Sequence, residues 1–322
     1  MPGALLFGGE DSVGKFQFAV ELAKALNCRD PQGVEACDKC PPCKRIPRFA
    51  PSPSDNEEKK KFIAWSEHPD VALVRRETSV ITVHQARVIE RESNFRPQEG
   101  RARVFIIDPA EKMNDNAANA LLKTLEDFAP TSHLVLVTSR PASLLQTIRS
   151  RCQSIRFAPL SAGEIEKHLV GNKLRAGREA KLVARLARGR LGEALALNLD
   201  AYQARRDLML GVLDSLTARP ADLARLLRAT EELGDAKRKD DFESHLDTLS
   251  ALVRDAWLLS IDPETEIVNE DVRERLARHA AHLTGGRAVR WLTQIEALRA
   301  QLAVNVNRRA ATDALFLSMA AA

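Results

Sequence analysis

Three runs of consecutive apolar residues stand out: Ala4-Leu5-Leu6-Phe7, Val104-Phe105-Ile106-Ile107 and Leu134-Val135-Leu136-Val137. Unbroken runs of this length predict strands buried on both faces, as in a parallel sheet. Val71 to Arg75, opened by His68-Pro69-Asp70, adds a fourth strand. Between the runs the spacing turns helical: from about Phe16 to Leu26, and from Ile81 to Asn94 behind a Thr82 cap, with Val83, Ala86, Val88 and Ile89 inward. A further helix after Asp108 has Ala117, Ala120, Leu121, Thr124 and Leu125 on one face. Strand and helix alternate through residue 158, which predicts an α/β core with its parallel sheet covered on both faces.

The pattern changes at Leu160. Ser161-Ala162-Gly163-Glu164 has capping-box spacing, and nearly everything after it is helical. Residues 159–200 predict a small helical lid, in which Gly189 to Leu195 joins two short helices. Residues 201–322 predict a separate all-α domain with Trp257 and Trp291 inside; Arg205, Arg206, Arg225 and Arg228 are expected on solvated or subunit-facing sides. Residues 47–62 are proline-rich, then charged and without period, so they read as an exposed, partly disordered loop.

Composition narrows the class without choosing a function. An apolar content of 44% with 29% charged residues describes an ordinary globular protein, and a net charge of +4 permits an acidic partner without demanding one. No apolar run is long enough for a membrane span and the N-terminus lacks a charged leader, so a cytoplasmic protein with no membrane contact is expected. Four of the five cysteines crowd into one segment, which fits a reducing compartment and a metal site better than a disulfide framework.

Three motifs carry chemistry. Gly8-Gly9-Glu10-Asp11-Ser12-Val13-Gly14-Lys15 sits between a strand and a helix, the context of a phosphate-binding loop, where backbone N–H groups and a lysine meet phosphate. Phe16, however, stands where a Ser or Thr hydroxyl would hold Mg²⁺, so a degenerate nucleotide site is expected from Gly9, Gly14, Lys15, Asp108 and Thr138, with ATP held weakly or not at all. Cys28, Cys37, Cys40 and Cys43, spaced C-x8-C-x2-C-x2-C, can close a tetrahedral structural zinc site. Cys152 lies too far along the chain to join them, and His68, before a proline, is expected to be structural.

The cysteine cluster, His68-Pro69-Asp70, Asn119-Ala120-Leu121-Leu122-Lys123-Thr124-Leu125-Glu126, Ser150-Arg151-Cys152 and Asn305-Val306-Asn307 together resemble the clamp-loader subunits of bacterial DNA polymerase III, within the AAA+ superfamily. The resemblance spans nearly the whole chain and implies an AAA+ core, a helical lid and a C-terminal collar that builds a pentameric ring. It implies partners as well: a delta subunit, gamma/tau motor subunits and, through the complex, the sliding clamp and primed DNA. In motor subunits the strand ending at Asp108 is followed by a glutamate that polarises water; here Pro109 takes that place, with Glu111 expected to point elsewhere. The lid arginine that senses the γ-phosphate aligns with Gly192, and the chain begins almost at the first strand, without the segment that helps enclose adenine in relatives. These departures imply a non-hydrolysing stator, in which Ser139 and Thr138 only hydrogen-bond in the core. Arg151 is the exception. In the family the arginine of this tripeptide reaches a neighbouring subunit's ATP, a role worth roughly 10³–10⁵ in rate in the best-studied cases. The alternatives are an active AAA+ motor with an unorthodox site and a zinc-dependent DNA-binding module.

Overall fold

The strands are β1 (Ala4–Gly8), β2 (Ala64–Trp65), β3 (Val71–Val74), β4 (Arg103–Ile107), β5 (Ser132–Thr138) and β6 (Gln153–Arg156). In the computed structural model, which describes residues 2–59, 61–127, 129–234, 239–302 and 307–321, they form one sheet in the order β2-β3-β4-β5-β1-β6. All pairings are parallel except β2 against β3. The four expected strands are present. The two without an apolar run, β2 and β6, lie at the sheet's edges: β2 is two residues long and β6 is mostly exposed, so neither needs a continuous apolar sequence.

Helices α1 (Lys15–Asn27), α2 (Pro41–Arg45), α3 (Asn56–Lys59), α4 (Val83–Ser93), α5 (Asp115–Glu126) and α6 (Gln146–Arg149) accompany these strands. One face of the sheet buries Leu6, Phe105, Ile107, Leu134 and Leu136 under Ile89, Ala117 and Leu121. The other buries Phe7, Leu73, Ile106 and Val137 under Ala19, Val20 and Ala23. Sheet and helices form the expected α/β fold, a mostly parallel sheet covered on both faces. On α5 the buried small residues are Ala117 and Ala118, while Ala120, expected on the inward face, is only half-buried. Helix α4 starts with a capping box in which Thr82 and Gln85 satisfy each other's backbone N–H groups. Gln85 is buried there because its amide also bonds Phe62 O at 2.9 Å and Arg75 O at 3.1 Å.

The 47–62 segment is better anchored than its composition suggests. Phe49 and Phe62 pack against the core, Ala50 N donates to Trp65 O at 2.9 Å, and a helical turn forms at Asn56–Lys59; Lys60 lies outside the described residues. At the base of the sheet His68 is fully buried, and its Nδ1 accepts from Asp70 N at 3.3 Å. Asp70, also fully buried, accepts from the backbone N–H groups of Gln98, Glu99 and Gly100 at 2.7, 2.9 and 2.7 Å.

The chain divides into two compact units, Met1–Ser161 with Arg188–Glu193, and Ala162–Ala187 with Ala194–Ala322. The second unit is helical, with a core around Leu213, Leu252 and a fully buried Trp291 whose Nε1 donates to Met319 O at 2.8 Å; Trp257 is half-buried against that core. Arg206 is not on a solvated side. It is 4% exposed and pairs in fork geometry with Asp271 at 2.7 and 2.6 Å, beside a Tyr202–Asn269–Asp255 network. A guanidinium can be buried there because the carboxylate it meets neutralises it. Arg225 and Arg228 are exposed and Arg205 is partly so. Asn305 and Val306 lie outside the described residues.

Candidate functional site

The parallel register brings the nucleotide-type residues to one edge of the sheet. Gly8 pairs with Thr138 and Ile107 with Leu136, so the glycine-rich loop, Asp108 and the β5 tip are neighbours. Gly9 N donates to Thr138 O at 3.3 Å. Gly14 caps α1 with φ +98°, a left-handed conformation that glycine adopts without a Cβ penalty. A cavity of about 400 Å³ is lined by Asp11, Lys15, Phe16, Asp108, Ser139 and Gly192, among others.

The residues here do not fit a magnesium nucleotide. Lys15 is 6% exposed and its Nζ is turned onto its own loop, donating to Gly9 O at 2.7 Å and to Glu10 O. Burial lowers its pKa, although Asp11, Asp108, Glu111 and Glu10 work in the opposite direction. Phe16 offers no oxygen: its ring packs 6.3 Å from that of Phe49, with the Arg75 guanidinium 5.3 Å above it. Gly192 N donates to Ser12 O at 2.8 Å, and a Cβ at position 192 would lie 3.2 Å from the Ser12 side chain. Where a sensing arginine is expected, backbone lies directly on the glycine-rich loop, too close for a larger residue without displacing Ser12.

Burial pushes Asp108 up to about 6, against the pull of Arg75 and Lys15. Glu111 corrects one expectation. It does not point away: its Oε1 accepts from Ser139 Oγ at 2.8 Å and Ser139 N at 3.4 Å. Burial opposes its ionisation, but the Thr138 hydroxyl and the Ser139 donors outweigh that and hold its pKa below the usual range. Glu111 is therefore a carboxylate spent on the β5 tip.

Each residue of Ser150-Arg151-Cys152 has a separate task. Ser150 Oγ donates to Thr147 O at 3.1 Å and closes the turn after α6. Cys152 packs inward against the core, where burial raises its thiol to about 11. Arg151 stays at the surface, its Nε and Nη2 donating to Glu126 Oε1 at 2.9 and 2.5 Å and its Nη1 to Thr147 O at 3.1 Å. Within the described residues Arg151 thus has a partner in its own unit. Glu126 is a site residue that its place in the motif does not reveal; the signal in the sequence is an acid closing a helix, where the dipole disfavours negative charge.

The four cysteines meet. Cys28 ends α1, Cys40 caps α2 and Cys43 lies inside it. Their Sγ atoms all lie within 4.8 Å of one another, with Cys28–Cys40 at 3.9 Å and Cys40–Cys43 at 3.4 Å. A tetrahedron with metal–sulfur bonds of ~2.3 Å has edges of about 3.8 Å, so the set fits one metal ion. Backbone N–H groups of Cys37 and Cys40 point at sulfur, at 3.3 and 3.4 Å. Burial resists ionisation of Cys40, but the N–H groups of Arg29 and Cys43 outweigh it and bring the thiol down to about 6. Burial and the Cys40 neighbour push Cys43 up to about 12. The N–H groups of Lys39 and Cys40 draw the Cys37 thiol down as well, and a cation is what would stabilise four thiolates together. The module is tied to the core: Asn27 Oδ1 accepts from Arg101 N and Ala102 N, and Arg101 Nη2 donates to Cys28 O at 2.6 Å.

The family model described as "DNA polymerase III, delta subunit" matches residues 1–161. The DNA polymerase III subunit delta' of Bacillus subtilis is 29% identical over 98% of this chain and 90% of its own length. That of Escherichia coli is 28% identical over 93% of this chain and 82% of its own length. DNA polymerase III subunit tau of Escherichia coli is 31% identical, but over only 60% of this chain and 28% of that protein. The delta' relatives match over nearly the whole chain and the tau relative over 60% of it, and the chain belongs to the delta-prime family of DNA polymerase III clamp-loader subunits.

Proposed function

We propose that this subunit is a non-hydrolysing stator of the clamp loader, and that Arg151 acts in trans on the ATP of a neighbouring motor subunit. The observation that carries the reading is a contrast between two phosphate-type groups. Lys15 is buried on its own loop beside a phenyl ring in the magnesium position, while Arg151 reaches the surface. Hydrolysis needs metal, water and charge positioned together, and Phe16, Pro109 and Gly192 supply none of them. A guanidinium exposed beyond the sheet is suited to a γ-phosphate outside its own chain. In this reading the core is 1–158, the lid 159–200 and the collar 201–322, with delta and gamma/tau subunits as neighbours and the clamp and primed DNA met through the complex, in the cytoplasm. Zinc held by Cys28, Cys37, Cys40 and Cys43 is structural: it cross-links the end of α1 to α2.

Two measurements test this. Calorimetry on the isolated subunit should give no tight binding of magnesium ATP. In the reconstituted complex, Arg151→Ala should leave assembly intact and lower the ATPase rate. ATP hydrolysis by the isolated chain that is lost on Lys15→Ala would favour a motor and sink the stator; unchanged complex ATPase for Arg151→Ala would remove the trans role.

A further inference from the structure

We propose that Glu126 is the positioning residue of Arg151, holding the guanidinium side-on so that its tip faces an anion on the neighbouring subunit; this rests on the trans reading of Arg151 given above. A guanidinium has five N–H donors in a rigid plane. Nε–H and one Nη2–H form the side edge, and both go to the single oxygen Glu126 Oε1, at 2.9 and 2.5 Å. One Nη1–H goes to Thr147 O at 3.1 Å, an oxygen that Ser150 Oγ also holds. Three donors therefore orient the group, and one N–H on each terminal nitrogen is left. Those two N–H groups are the donors left to meet a phosphate.

The surroundings support orientation rather than stability. Glu126 closes α5, whose Leu121, Thr124 and Leu125 are buried, so its backbone is anchored on the sheet. An acid at a helix C-terminus opposes the dipole, so the helix itself gains nothing from it. The side chains are 36% exposed for Arg151 and 52% for Glu126, open enough for a partner to reach and too open for the pair to contribute much to folding. Without Glu126 a long, flexible side chain would sample many rotamers, and a phosphate contact would have to order it.

The test uses the reconstituted clamp loader with wild-type subunit, Arg151→Ala, Glu126→Ala, Glu126→Gln and the Arg151→Ala/Glu126→Ala double variant, reading kcat and KM for ATP. Glu126→Ala should lower kcat about two- to fivefold, the range that an exposed ion pair supplies, with KM unchanged. Glu126→Gln, which keeps an acceptor oxygen, should fall less. The double variant should match Arg151→Ala alone. If Arg151→Ala lowers kcat but Glu126→Ala leaves or raises it, the positioning role is overturned and the trans role of Arg151 stands. A Glu126→Ala defect that persists in full beside Arg151→Ala also overturns it, by assigning the loss to the fold. If Arg151→Ala itself has no effect, the trans role fails first and takes this proposal with it.

Discussion

Removing the metal from the four-cysteine module should cost a measurable part of the subunit's stability, and the size follows from the loop the metal closes. Cys28 and Cys43 bracket a loop held at its two ends by α1 and α2. A cross-link closing about 15 residues restrains the unfolded chain by about 3 kcal/mol. In Cys43→Ala a thiol that is 3% exposed is also lost, leaving a small void. That adds about 1 kcal/mol, for a total near ~4 kcal/mol. Against the ~5–15 kcal/mol by which domains are ordinarily stable, such a loss shifts the unfolding midpoint clearly. The assay is urea denaturation of wild-type protein with and without chelator and of Cys43→Ala, beside elemental analysis. Expected are about one zinc per chain, a loss of about 3 kcal/mol on chelation, and no further effect of chelator on Cys43→Ala. Protons compete with zinc for thiolates, so the metal's contribution is present at neutral pH and is lost as pH falls. A metal-free purified chain whose unfolding ignores chelator would refute the reasoning.

Two further predictions concern the buried acids. Asp70→Asn places a neutral amide against three backbone donors and about 3.8 Å from the Arg103 guanidinium, so it should destabilise by about 3–5 kcal/mol in urea; a loss below ~1 kcal/mol would refute the network's role. Asp108 has the opposite sign. Its folded pKa is raised from 3.8 to about 6, so the wild-type chain loses stability as pH rises through that window. Asp108→Asn should therefore stabilise at pH 7 by about 1–3 kcal/mol and be near neutral at pH 3.5. Denaturation at the two pH values checks this, and a variant destabilised at pH 7 would show that the carboxylate is needed ionised.

The central strands, the glycine-rich loop and the cysteine cluster were legible because each depends on local order. A buried strand shows as an apolar run, a phosphate-type loop as glycines between a strand and a helix, and a metal module as thiols a few residues apart. The edge strands were not, since an edge needs no continuous apolar sequence. Arg206 shows a different limit. A charge on a helix reads as solvated unless its partner is known, and Asp271 is 65 residues away.

The sequence by itself determined the family, the α/β core followed by helices, and the absence of a hydroxyl at Phe16, of a carboxylate at Pro109 and of any side chain at Gly192, because those are matters of residue identity. Only the tertiary structure decided what the remaining groups do. It turned Lys15 onto its own loop, engaged Glu111 with Ser139, laid Gly192 against Ser12, and placed Glu126 beside Arg151. Each of these is a hydrogen bond between segments brought together by packing, and the direction of a side chain at such a junction is set by the partner it meets rather than by its neighbours in the chain.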